Sequence, residues 1–325
     1  MLIIIFTIIA GLRVGVKPDW YNYAWVFENF QVERMFDYSA YSKEPGYMVL
    51  NYIVREVYDS KYLLFSVIAF MSIGLTFYSY FKFSSNPFLC VLIYCSFFFI
   101  NRDMGAIRAG IAYSIFLFGL IYINNIYKYL SIVLIASTFH ITSLLAICIP
   151  ILKNRFCTPK MLALMIITSC IFGLTGLATE IIRVLSNIDI SLVARKSSAY
   201  LSSEDLVYEI DFLDLTNIKS LLFSFFSIYN YDKFKIKNSH FSVIIFVYVI
   251  GTCFRLAFSD LGVIAGRGYT IFNTVEPILI SYFYGLYTSV HWRIIYYVGI
   301  IIYGITFMYL SINKYQTLPY DSLIF

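Results

Sequence analysis

The chain has 325 residues, 60% hydrophobic and 13% charged, about half the charge of an ordinary soluble domain. That balance excludes a soluble globular enzyme, and the net charge of +5 is too unevenly placed to form a nucleic-acid patch. The class that fits is an all-α polytopic membrane protein, because several apolar stretches reach the roughly 20 residues that a spanning helix needs.

In chain order, the first element is a helix over 1–12. Its sequence, MLIIIFTIIAGL, spans about 18 Å, too short to cross a bilayer. It lacks the basic start and small-residue cleavage site of a signal peptide, so the expectation is a late start or a tilted partial helix. A polar, aromatic loop follows over 13–45, then an amphipathic helix over 46–58. Spans are expected at 60–81, 87–101 and 104–123. An apolar run over 129–152 is split by His140, and spans resume at 160–184, 217–231, 239–257, 268–289 and 294–312. The tail 313–325 is polar and aromatic. The whole, 1–325, reads as a single integral membrane domain of about 10–12 transmembrane or re-entrant helices, with long loops at 13–45 and 185–216.

Orientation comes from the short linkers 82–86, 124–128, 153–160, 231–238 and 290–293. They hold nine basic residues against one acid, Asp232, which marks them as cytoplasmic and turns the long loops outward. This topology needs 129–152 to leave and re-enter on one face. A straight crossing is the rival, but it would put His140 near mid-membrane, whereas the tip of a hairpin can line a wet cavity.

Four arginines, Arg102, Arg108, Arg255 and Arg267, then lie near the outer face, inside or just beyond apolar spans. An arginine at bilayer depth is costly, and its planar fork suits phosphate, so the cluster points to a phosphate-bearing lipid. Arg108 has no acid nearby in sequence, whereas Asp103 stands ready to neutralise Arg102. In the first loop, Trp20, Tyr21, Tyr23 and Trp25 offer faces on which sugars stack, flanked by Asp19 and Glu44 as candidate bases. Composition alone favours the other reading of the same residues, an interfacial aromatic belt with solvated acids. His140 is a candidate base or a buried histidine bonded to Ser137, Thr138, Thr142 or Ser143. Arg255, Arg267, Tyr269 and Glu276 gather around one outer turn; Arg267 lies between two glycines at a helix start. A Glu276–Arg255 ion pair is the structural alternative to a catalytic Glu276. The loop 185–216, with Arg195, Lys196, Tyr200, Glu204 and Asp205, has the length of a lid or binding loop. The dispersed cysteines and histidines give neither a disulfide framework nor a metal spacing, and no cofactor is expected.

The motifs GLRVGVKPDWYNY, EPGYMVLN, INRDMGAIRAGIAYSIF, STFHITSLL, RGYTIFNTVEPILI and LPY resemble, in order and spacing, the EpsG-like branch of Wzy-type polysaccharide repeat-unit polymerases. The resemblance implies an architecture like that of C-type glycosyltransferases. It implies an inverting transferase that joins oligosaccharide units carried on undecaprenyl diphosphate at the outer leaflet of a bacterial plasma membrane, with O-antigen, capsule or exopolysaccharide as product. A chain-length regulator is a candidate accessory partner. The positions matching the family's pattern are Arg13, Asp19, Glu44, Arg102, Arg108, His140, Arg255, Arg267 and Glu276. The Lys17-Pro18 pair departs from the small, glycine-rich approach expected before Asp19.

On this reading Arg108, Arg102, Arg267 and Arg255, supported by Arg13, hold the diphosphate, and Glu44 takes the acceptor's proton, with His140 second. Two rivals remain at this stage. A membrane O-acyltransferase would need His140 reachable from the cytoplasm, and a lipid-linked oligosaccharide flippase would need charge lining a passage across the whole membrane.

Overall fold

The computed structural model describes residues 1–186, 208–313, 317 and 319–323. Much of the second long loop, including Arg195, Lys196, Tyr200, Glu204 and Asp205, lies outside the described residues. The fold is all-α. The helices are α1 (Leu2–Gly11), α2 (Asp19–Glu28), α3 (Pro45–Val57), α4 (Lys61–Phe83), α5 (Pro87–Ser96), α6 (Ile107–Gly119), α7 (Ile126–Ser137), α8 (Ile149–Phe156), α9 (Pro159–Leu174), α10 (Leu177–Ser186), α11 (Leu215–Tyr229), α12 (Tyr231–Lys237), α13 (Phe241–Ala257), α14 (Gly262–Phe272), α15 (Glu276–Tyr284) and α16 (Val290–Asn313). A two-residue antiparallel pair joins β1 (Arg13–Val14) to β2 (Asp321–Ser322), with Arg13 opposite Ser322. By length and composition α4 and α16 are long enough to cross a membrane, and the other apolar helices are shorter.

Two compact units make up the chain: Met1–Ile147 with Ile280–Phe325, and Cys148–Leu279. In the first, α4 packs against α1, α5 and α6, α6 against α7, and α5 against α16. In the second, α13 is central and packs against α9, α11 and α14.

Several elements differ from the sequence expectation. The first loop is not irregular: Asp19–Glu28 is helical, with Trp20, Tyr23, Ala24 and Phe27 buried at the spacing of one helical face. Those rings pack with Tyr47 and Met48 of α3, Phe65 and Ile68 of α4, and Ile107 and Ile111 of α6. Pro18 sits at the start of α2, where its fixed φ suits a helix entrance, and Asp19 takes the first turn, where a carboxylate meets the positive helix end. The expected span 87–101 ends at Ser96 and gives way to a wide π turn, Phe99–Asp103, closed by the Met104 N–H on the Phe99 carbonyl (3.0 Å). The linker 231–238 is the short helix α12, and Arg267 lies inside α14 rather than at its start.

Around His140 the chain does reverse. Helix α7 ends at Ser137, a 3₁₀ segment runs Ile141–Cys148, and the Tyr129 hydroxyl donates to the Ala146 carbonyl at 2.8 Å. In one straight helix those residues would stand about 25 Å apart. At the other end of this unit the tail returns to the first segment: the Leu323 N–H donates to the Leu12 carbonyl (3.0 Å) and the Tyr320 hydroxyl to the Ile9 carbonyl (3.1 Å).

Candidate functional site

The segment Glu44-Pro45-Gly46-Tyr47 shows why those residue types sit together. Pro45 opens α3, where a missing N–H costs nothing. Glu44 precedes it in extended backbone and makes no capping bond with its side chain, so the carboxylate is left to reach elsewhere. Gly46 lets the 138–141 turn close on the helix start: its N–H donates to the Thr138 carbonyl at 2.8 Å, and a Cβ there would stand 2.8 Å from that same oxygen. Tyr47 anchors the turn in the core.

The Glu44 carboxylate pairs with the Arg108 guanidinium through Oε2, and its Oε1 accepts the Ile141 N–H at 3.4 Å. Residues 44, 108 and 140–141 therefore meet, although up to 97 positions separate them. The pair is neither buried nor free, with Arg108 at 17% and Glu44 at 13% side-chain exposure. Arg108 Nε, by contrast, is buried without a hydrogen-bond partner among the described residues. Its charge lies 5.7 Å from the centre of the Tyr23 ring, and the Lys43 ammonium lies 5.5 Å from the same centre. Burial raises the Tyr23 phenol, with the Arg108 charge opposing. Burial lowers the Lys43 ammonium to about 8, and the Arg108 charge adds to that, against Asp19 and Glu44.

Arg102 and His140 stand on the same side of α6. Arg102 lies 4.5 Å from the Phe98 ring centre and 5.2 Å from that of Tyr113. The Tyr113 hydroxyl is 3.0 Å from Thr142 Oγ1, which is 2.6 Å from His140 Nδ1. His140 thus has one of the hydroxyl partners that the sequence offered it. Gly110 permits the approach of α6 to the π turn, because a Cβ there would stand 3.3 Å from the Arg102 backbone. Asp103, the expected neutraliser of Arg102, is buried and receives the Tyr94 hydroxyl.

The remaining sequence candidates have different settings. Arg13 is wholly buried; its guanidinium donates to the Met104 carbonyl (2.7 Å) and the Ala10 carbonyl, so it ties α1 to the end of the π turn. Trp20 is buried and donates its indole N–H to the Arg13 carbonyl at 3.0 Å, whereas Tyr21 is 57% exposed. Asp19 is exposed at the start of α2. Lys17 turns inward, donating to Asn101 Oδ1 (3.2 Å) and the Ser311 carbonyl (3.1 Å), and burial lowers it to about 8.

In the second unit, Glu276 pairs with Lys219 rather than with Arg255. Lys219 Nζ is 2.8 Å from Oε1 and 2.7 Å from Oε2, and the Tyr248 hydroxyl donates to Oε2 at 3.0 Å. Arg255 donates instead to Asp214 Oδ1 (2.9 Å) and Asn217 Oδ1 (2.7 Å) and lies over the Tyr269 ring. Tyr269 is buried, with its hydroxyl 2.9 Å from Ser220 Oγ, and Arg267 is exposed. Sequence reasoning missed Lys43 and Lys219. A lone lysine two residues into an apolar span is a readable signal for Lys219; Lys43 beside Glu44 looks like an ordinary solvated charge.

A protein-family model described as the EpsG family matches residues 1–322. The chain is 26% identical over 292 residues to the amylovoran biosynthesis protein AmsC of Erwinia amylovora, covering 86% of this chain and 76% of that protein. No solved structure matches.

Proposed function

The chain belongs to the EpsG family, and on that premise we propose that it is a multi-pass glycosyltransferase of a bacterial plasma membrane that polymerises lipid-diphosphate-linked oligosaccharide repeat units. The name of AmsC places that relative in amylovoran biosynthesis, which supports polysaccharide as the product class. The observation that carries the reading is the partly exposed Arg108–Glu44 pair, with Arg102, Tyr23 and His140 around it.

In the proposed reaction an acceptor sugar hydroxyl attacks the anomeric carbon of a donor unit carried on undecaprenyl diphosphate. The new carbon–oxygen bond forms on the face opposite the leaving diphosphate, so the configuration inverts. The hydroxyl proton passes to Glu44, with His140 as the alternative acceptor, and the diphosphate leaves with the electrons of the broken bond. Arg108 meets the charge that develops on it and Arg102 supports from the π turn; preset cations in a dry site cost no reorganisation as that charge grows. Of the sugar-stacking candidates Trp20, Tyr21 and Tyr23, Tyr21 alone is exposed enough to meet a sugar. Arg13 organises backbone. Arg255 and Arg267 belong to the second unit, where Arg267 is exposed on α14.

The test is reaction of the purified chain with a synthetic undecaprenyl-diphosphate repeat unit. A ladder of products with inverted linkages is expected. Acyl transfer, or transport without new linkages, would overturn the reading.

A further inference from the structure

Lys43 is a lysine buried to 7% exposure, directly before the Glu44 pair, and among the described residues no carboxylate lies within ion-pair distance of its ammonium. A buried cation without a counter-anion is costly and calls for an anion from outside the chain. The Tyr23 ring that it faces is the one faced by Arg108, so two cations converge where Glu44 is already paired with Arg108 and the exposed Asp19 acts on Lys43 only from beyond ion-pair distance. Arg108 Nε, buried and unbonded, is a further donor waiting for an acceptor.

We propose that Lys43 and Arg108 form a two-cation seat for the diphosphate, in which Glu44 is the resident counter-anion that the diphosphate displaces. This deepens the lipid-diphosphate reading and rests on it. A diphosphate diester carries two negative charges, enough to satisfy both cations, whereas Glu44 satisfies one. Once Arg108 turns to the ligand, Glu44 loses the cation that stabilised its ionised form and becomes a better proton acceptor. Donor binding and base activation are then one event, and the carboxylate is held quiet while the site is empty.

The arrangement also couples binding to a proton. Burial and Arg108 hold Lys43 at about 8, against Asp19 of α2 and Glu44 at the head of α3. A bound dianion favours the ammonium, so binding just above pH 8 takes up a proton. Working at pH 8.5 keeps ordinary histidine titration outside the signal.

The experiment titrates the full chain in nanodiscs with farnesyl diphosphate and with farnesyl phosphate, by calorimetry at pH 8.5 in two buffers of different ionisation enthalpy. Wild type should bind the diphosphate and take up a fraction of a proton. Lys43→Gln should weaken diphosphate binding about tenfold or more, affect the monophosphate less and abolish the uptake. Lys43→Arg should restore affinity without the uptake, since arginine does not titrate there. Glu44→Gln should bind the diphosphate more tightly, because the competitor for Arg108 has lost its charge. Unchanged affinity and uptake in Lys43→Gln, or weaker binding in Glu44→Gln, overturns the two-cation seat while the lipid-diphosphate donor stands. Lys43→Gln and Lys43→Arg both failing with lowered melting temperatures would make Lys43 a folding residue and also overturn it. No diphosphate binding by wild type removes the donor reading itself.

Discussion

Two ion pairs among helices, one in each unit, differ in completeness. Lys219–Glu276 is closed: the lysine is at 8% exposure and the glutamate at 1%, both carboxylate oxygens contact the ammonium, and Tyr248 adds a hydroxyl. Arg108–Glu44 is open: both partners keep some exposure, one guanidinium nitrogen is unbonded, and a second cation stands by. A closed pair has its desolvation offset by its own contacts and holds helices together. An open pair keeps donors in reserve, which costs stability and is useful only if something else binds.

The comparison breaks most sharply at Glu276. Glu276→Gln leaves Lys219 charged and buried, and should destabilise the protein by about 3–5 kcal/mol in denaturant unfolding of the detergent-solubilised chain. Replacing both partners with apolar residues of similar volume should recover much of that. If Glu276→Gln unfolds normally yet abolishes polymerisation, the closed pair is functional and the distinction fails.

At the open pair the effect should fall on rate. Arg108→Lys keeps a charge for Glu44 but loses the planar fork, so single-turnover polymerisation should drop by about 10²–10³. The unfolding free energy should move by about 1 kcal/mol or less. Retention of most of the rate would make Arg108 a second structural pair.

The smallest effect concerns pH. Lys17 and Lys43 titrate at about 8 in the fold, against an ordinary value of 10.5. Between those limits the unfolded chain holds more protons, so stability should rise with pH from about 8 towards 10, and below 8 the full cost of burying both charges applies. Lys43→Gln should flatten its share of that rise in melting temperature and leave that of Lys17. An unaltered slope would mean that Lys43 is solvated.

What the sequence made legible follows from what each signal depends on. Residue chemistry is local, so Glu44, Arg108 and His140 could be singled out by type. Their meeting could not be read, because it depends on a turn at 138–141 closing on Gly46. The reversal at His140 was legible from the cost of a mid-membrane histidine, and the Tyr129–Ala146 bond agrees with it. Helix α2 was legible too, since Trp20, Tyr23, Ala24 and Phe27 follow helical spacing, but the polar residues between them suggested a loop. Pairing was misjudged in the second unit: Arg255 and Glu276 are near in sequence, yet each found a partner on or beside α11.

The short β1–β2 tie has a consequence for how the protein is made. Arg13 and Val14 acquire their strand partners only when Ser322 and Asp321 have left the ribosome. At roughly 5–20 residues per second that is a wait of roughly 15–60 s. Through that interval the first segment is held by α4, the aromatic face of α2 and the Arg13–Met104 bond to the π turn, without its strand partner. This bracing of the first segment is therefore completed only after residues 321–322 are made, when the helices between Arg13 and Asp321 have already been synthesised.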